Sequence, residues 1–182
     1  SPMKQQTKAY WYAGIAIFFW STVASAFKIA LRDLDPIQLL FVATLVSFVL
    51  LASINLFRGS LRNTFHLNRK NWAHSALFGF LNPYLYYLVL FKAYSLLPAQ
   101  VAQPVNMIWP IVLVFLSVPM LKQKIPVRSF IALFISFSGV YLISSEGNPL
   151  GFRITEPFGL SLAIGSAFIW SFFWILNLRG QR

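Results

Sequence analysis

Between Asn82 and Pro119 the sequence sets amides and prolines inside otherwise apolar runs, and there side chains and opened backbone together can bind a solute. Asn82-Pro83 interrupts one run. After a turn expected over Lys92 to Pro98, the next run reads Ala99-Gln100-Val101-Ala102-Gln103-Pro104-Val105-Asn106-Met107-Ile108-Trp109-Pro110. A proline has no N–H and leaves the carbonyl four residues back without its helical partner, so Pro83, Pro104 and Pro110 release Gly79, Gln100 and Asn106. Gln100, Gln103 and Asn106 recur every third residue and Trp109 continues the series, giving a polar stripe that drifts slowly round the helix. Such a stripe offers donors and acceptors to a small polar solute. The competing role is helix glue, interhelical hydrogen bonds that average about 0.6 kcal/mol in measured membrane cases. Asn82 faces the same alternative, because its amide can satisfy the backbone that Pro83 opens.

A second constellation is Ser21, Ser25 and Lys28, spaced i, i+4 and i+7 on one helical face that is expected to point inward. An ammonium within a span is a candidate partner for a substrate carboxylate or phosphate, although Lys28 lies near a helix end, where a lysine can also snorkel to the interface. Lys92 is closer still to the boundary. Trp20, Trp170 and Trp174 with Tyr84, Tyr86 and Tyr87 could line an aromatic cavity for flat or amphipathic solutes. Tyr86 and Trp170 sit deepest in their runs, whereas Trp11 and Tyr12 read as an interfacial belt.

Other chemistries are poorly served. There is no cysteine, and the two histidines, His66 and His74, stand among basic residues rather than ligand clusters, so no metal and no cofactor is expected. The four acids, Asp33, Asp35, Glu146 and Glu156, fall between apolar runs. No carboxylate therefore sits at depth for proton coupling, and a serine hydrolase would lack its base.

These groups must be positioned by helices in a bilayer. The chain is 58% hydrophobic and 10% charged with a mean hydropathy of +0.66, too apolar for a soluble domain. Six runs reach the roughly 20 residues that span a membrane: about 10–31, 37–57, 72–94, 99–121, 127–145 and 158–178. The fold class is an all-α polytopic membrane protein. Asp35-Pro36 and Pro157 mark helix starts. The net charge of +11 does not form a nucleic-acid patch, because the lysines and arginines fall between spans. With the N-terminus inside, eleven of the fifteen basic residues are cytoplasmic and all four acids are outside, which predicts both termini in the cytoplasm of a cell inner (plasma) membrane protein.

Phe18-Phe19-Trp20-Ser21 overlays Phe168-Ile169-Trp170-Ser171 at an offset of 150 residues. The later copy follows an odd number of crossings, so it enters the membrane in the opposite direction, as in an inverted repeat.

At these residues the sequence resembles the EamA family of the drug/metabolite transporter superfamily. The resemblance lies in Phe19-Trp20-Ser21-Thr22 with Lys28, in Tyr86-Tyr87-Leu88 with Phe91-Lys92-Ala93-Tyr94-Ser95, in Pro110-Ile111, and in Phe130-Ile131-Ala132 leading to Gly139-Val140. It implies small-metabolite export or exchange by ten helices in two inverted five-helix repeats. The chain departs from the family pattern at Leu121-Lys122-Gln123-Lys124, where an acidic residue usually ends the fourth helix, and at Ala43 and Thr44, near the place of a usual arginine.

The expected organisation is therefore a cytoplasmic tail at 1–9, whose Ser1-Pro2 precedes Met3 as an expression remnant would. One five-helix EamA-type repeat follows at 10–146, then an extracytoplasmic linker at 147–157, then the first helix of an inverted second repeat at 158–182. The expected partners are a small-molecule metabolite, the lipid bilayer, and a missing second half or a partner copy. Without that cover, the stripe on the hairpin would lack polar partners. The alternative is a fragment or assembly subunit that does not transport alone.

Overall fold

Asp35 accepts hydrogen bonds from the N–H groups of Ile37 and Gln38, Gln38 answers to the Asp35 N–H, and Pro36 opens the helix, so a full capping box sets its start. The computed structural model describes residues 2–59, 68–122, 124–145 and 156–180. Among these residues every regular element is helical. Helix α1 is Pro2–Ala30 and α2 is Pro36–Phe57, while α3, Arg69–Gly79, runs into a π-helical turn at Phe80–Leu85 and on into α4, Tyr86–Leu96. Then come α5 (Ala99–Asn106), α6 (Trp109–Leu121), α7 (Val127–Ser144) and α8 (Pro157–Gly180).

The expected spans are present, with one qualification. Gln5–Ala30, Pro36–Phe57, Arg69–Leu96, Ala99–Leu121 and Pro157–Gly180 are long and apolar enough to cross a bilayer, whereas the expected fifth is apolar over a shorter stretch, Val127–Leu142. The expected tail is continuous with α1, since the helix begins at Pro2.

Breaks occur beside Pro83 and a few residues ahead of Pro110, whereas Pro104 and Pro119 lie inside α5 and α6. Asn82 leaves helical geometry (φ −148°, ψ 117°), and the turn re-forms by letting the Tyr86 N–H reach Leu81 O, five residues back. The α4–α5 turn is shorter than expected. Nothing breaks the helix before Leu97, which is extended (φ −108°, ψ 151°) as a residue before proline must be. In the next span the break falls at Met107 and Ile108, so Pro110 enters α6 in its first turn, where no N–H is needed.

Helix α8 is the centre of the assembly and α1 is peripheral: 33% of the most apolar window of α8 is buried, against 6% for α1. Gly159, Ala163, Ser166, Ala167 and Ser171 are buried along one face of α8. These small side chains let α4, α5 and α6 approach closely, which matters in lipid because dispersion and polar contacts replace the hydrophobic effect between helices. At Gly159 a Cβ would lie 3.0 Å from both Leu96 Cβ and Leu97 Cγ. The core cluster joins Ala24, Tyr86, Leu90, Ala93, Tyr94, Leu97, Ala102, Val105 and Ala163. Outward faces carry exposed Phe18, Phe41, Phe48 and Phe57, suited to acyl chains.

Candidate functional site

The second half of α1, the start of α4 just after the π turn, the α5–α6 break and the middle of α8 converge on one cleft. It encloses a cavity of about 110 Å³ lined by Trp20, Val23, Phe27, Tyr86, Tyr87, Leu90, Gln103, Asn106, Met107, Trp109 and Trp170. Seven of the residues singled out in the sequence therefore meet there: Trp20, Tyr86, Tyr87, Gln103, Asn106, Trp109 and Trp170.

Its polar floor is a hydrogen-bonded series. Asn106 is buried, its Nδ2 donates to Ser166 Oγ at 2.9 Å, and its Oδ1 accepts from the Tyr86 hydroxyl at 3.3 Å. The Ser166 hydroxyl in turn donates to Ala163 O at 2.6 Å. Gln103 Oε1 accepts from the Tyr94 hydroxyl. The Ser171 hydroxyl lies 2.8 Å from Trp109 O, which borders the α5–α6 break, and also 2.8 Å from Ala167 O. The expectation that the stripe lacks polar partners within the chain is thus corrected: α8 brings Ser166 and Ser171 against the opened segment, while Tyr86 and Tyr94 supply hydroxyls from α4.

Valences remain. A side-chain amide offers two N–H donors and two lone pairs. Among the described residues, Asn106 keeps one of each, and Gln103 keeps both N–H groups and one lone pair. The aromatic walls lie close, with Trp170 4.8 Å from Tyr86 and 6.3 Å from Trp109 between ring centroids, the latter edge to face. Trp170 Nε1 is buried with no partner among the described residues, a donor whose desolvation is uncompensated in this conformation.

The other predicted residues lie elsewhere. Gln100 is exposed at the start of α5, because a three-residue step on a 3.6-residue helix turns it back by about 60° each time and carries the stripe off the cleft. It lines a second cavity with Ser25 and Lys28. Ser21 is exposed and its hydroxyl returns to Phe18 O at 2.7 Å, so the Ser21–Ser25–Lys28 face turns inward only at Lys28. There the ammonium donates to Tyr94 O at 2.7 Å and Leu97 O at 2.9 Å, the terminal carbonyls of α4, a cation stabilising a helix C-terminus. Asn82 is half-buried in the π turn and does not line the cleft. Trp174 and Tyr84 are also outside the cleft lining. His74 packs against Phe78 in a tilted arrangement, with ring centroids 4.4 Å apart, and His66 lies outside the described residues.

The sequence reading passed over Ser166, Ser171 and Tyr94 as site-builders. Their signal was present: the two serines share the small-residue face of α8, and Tyr94 lies two turns after Tyr86 on the same side of α4.

An all-helical bundle with apolar outer faces and an amide and aromatic cleft at mid-span belongs to the polytopic membrane proteins. The sequence matches the EamA-like transporter family over residues 7–145, and the chain belongs to that family. Over 174 residues it is 25% identical to an uncharacterized transporter of Archaeoglobus fulgidus, an alignment covering 95% of this chain and 58% of that protein. The chain thus spans less than two thirds of the length of the curated relative it matches. No solved structure matches it.

Proposed function

We propose that the chain forms one wall of the substrate pathway of a small-metabolite exporter or exchanger, with amino acids or similarly amphipathic compounds as cargo. The carrying observation is the cleft: Gln103 and Asn106 keep unused hydrogen-bonding capacity beside the faces of Tyr86, Trp109 and Trp170, at the depth of opened backbone. In this reading a zwitterionic or amide-bearing solute bonds the two amides and stacks on the indoles. Alternating access then re-forms the α5–α6 break and the π turn around it. The same reading puts both termini in the cytoplasm of an inner (plasma) membrane protein, in keeping with the bias of lysine and arginine. Transport needs no catalytic residue and no cofactor.

The pathway is completed by a second unit, either further helices of the same polypeptide or a partner copy. Two observations support this. At the 150-residue offset, Trp20 and Trp170 line the same cleft from the two matched helices. The small-residue face buried in α8 at Gly159, Ala163, Ser166 and Ser171 corresponds to Ala9, Ala13, Ala16 and Ser21, all exposed on α1. The alternative, a fragment or assembly subunit that transports nothing alone, is favoured by the 58% coverage of the relative. Counterflow of a labelled amino-acid mixture into proteoliposomes, with native mass spectrometry of the same preparation, tests both. Saturable counterflow by an assembly larger than the 20.7 kDa monomer supports the proposal. Counterflow by the monomer removes the need for a second unit. Assemblies without counterflow favour the subunit reading.

A further inference from the structure

A second cavity, of about 510 Å³, opens where α1 and α4 end and α5 begins, lined by Ser25, Lys28, Arg32 and Gln100 together with the apolar Ile29 and Leu96–Ala99. Its chemistry differs from that of the cleft. Lys28 stands in the last turn of α1 and Arg32 in the turn that follows it, two like charges at the same end of the helix. The described residues provide no acid in the lining to neutralise them. Of the described acids at this end, Asp35 is committed to capping α2, Asp33 is exposed on the turn after α1, and Glu156 is exposed ahead of α8, outside the lining.

Lys28 is held in place. Its bonds to Tyr94 O and Leu97 O use two of three N–H donors, fixing the ammonium at the cavity wall with one donor unused. Arg32 is exposed, and among the described residues nothing engages its planar fork, which suits a bidentate oxyanion. The first turn of α5 adds to the same field. Pro98 precedes it without a side-chain cap, and while the N–H groups of Val101 and Ala102 bond to Pro98 O, those of Ala99 and Gln100 have no partner among the described residues. The Gln100 amide is exposed beside them.

We propose that this cavity is an oxyanion-binding vestibule, separate from the uncharged cleft, in which Lys28 and Arg32 hold a carboxylate or phosphate group against the start of α5. Because Lys28 also ties α1 to the end of α4, occupancy of the vestibule reinforces that tie. The proposal stands apart from the transport reading, since binding is measured on the chain by itself.

Thermal unfolding of the purified full chain in neutral detergent is followed while sodium phosphate is titrated against sodium chloride at matched ionic strength. Phosphate should raise the unfolding temperature saturably, beyond the chloride control. Arg32→Gln should raise the half-saturating phosphate concentration roughly tenfold, the loss expected for one charged hydrogen bond, and Arg32→Lys should recover part of it. Lys92→Gln, an exposed cation that does not line the cavity, should change nothing. Lys28→Gln removes a structural tie as well, so the decision rests on Arg32 and Lys92. Nanodiscs of phosphatidylcholine, with or without phosphatidylglycerol, identify the source of the group. If phosphatidylglycerol abolishes the response to soluble phosphate, a lipid headgroup occupies the vestibule; if the response persists, a free anion does. Either result upholds the oxyanion site. Equal shifts with phosphate and chloride, unchanged phosphate affinity in Arg32→Gln, or an equal loss in Lys92→Gln would overturn it.

Discussion

Asn106→Leu removes the residue on which α4, α5 and α8 converge. Asn106 is 2% exposed and joins Tyr86 to Ser166. Leucine matches its branching and side-chain heavy-atom count but is bulkier, so overpacking adds to a polar cost that can be reckoned bond by bond. Two interhelical hydrogen bonds disappear, at about 0.6 kcal/mol each in a membrane setting. The Tyr86 hydroxyl, on a residue 6% exposed, loses its acceptor, which adds about 1–3 kcal/mol. The expected destabilisation is about 2–4 kcal/mol, read by denaturant unfolding in micelles under circular dichroism. Tyr86→Phe in the Asn106→Leu background removes the stranded hydroxyl, so the double variant should be about 1 kcal/mol more stable than Asn106→Leu alone, a non-additivity expected of groups in contact. If Asn106→Leu unfolds within about 0.5 kcal/mol of wild type, or if the two substitutions simply add, the hydrogen-bond reasoning fails.

Two further predictions test the frame. The chain has no native cysteine, so single cysteines at Asn63 and Gly147, both outside the described residues, should label from opposite sides of the membrane; labelling from one side would refute the proposed topology. Gly159→Ala puts a methyl 3.0 Å from Leu96 Cβ, a backbone-fixed atom, and should cost about 1–3 kcal/mol in the same unfolding assay, whereas a neutral result would mean that α8 can retreat from α4 without loss.

How much of this could be read from residues varies with the physics involved. Membrane class, helix count and the Asp35-Pro36 start were legible, because long apolar runs and capping chemistry act locally. Pro83 and Pro110 announced breaks in the right spans, but not that a π turn would absorb the first or that the second would fall three residues ahead of its proline. The cleft was half legible. Gln103, Asn106, Trp109, Tyr86 and Trp170 were identified by being polar or aromatic at depth, a local property. That Gln100, Ser21 and Ser25 fall away from them depends on which helices cover which faces, and spacing alone cannot fix helix rotation. Lys28 shows the limit most plainly. Substrate partner and snorkelling were both considered, yet the ammonium caps α4 across a sequence separation of 66 residues, a contact that only tertiary packing creates.

The claim that Gln103 and Asn106 contact cargo is tested most directly by counterflow of labelled amino acids in proteoliposomes carrying wild type, Gln103→Ala or Asn106→Leu, in a preparation where wild type is active and all three insert equally. Losing a hydrogen bond worth roughly 0.5–1.5 kcal/mol should weaken half-saturation of the cargo by about 2- to 13-fold in Gln103→Ala, and by more in Asn106→Leu, where Tyr86 is also released. Half-saturation and rate equal to wild type in both variants would contradict the account and leave the amides as ties between helices.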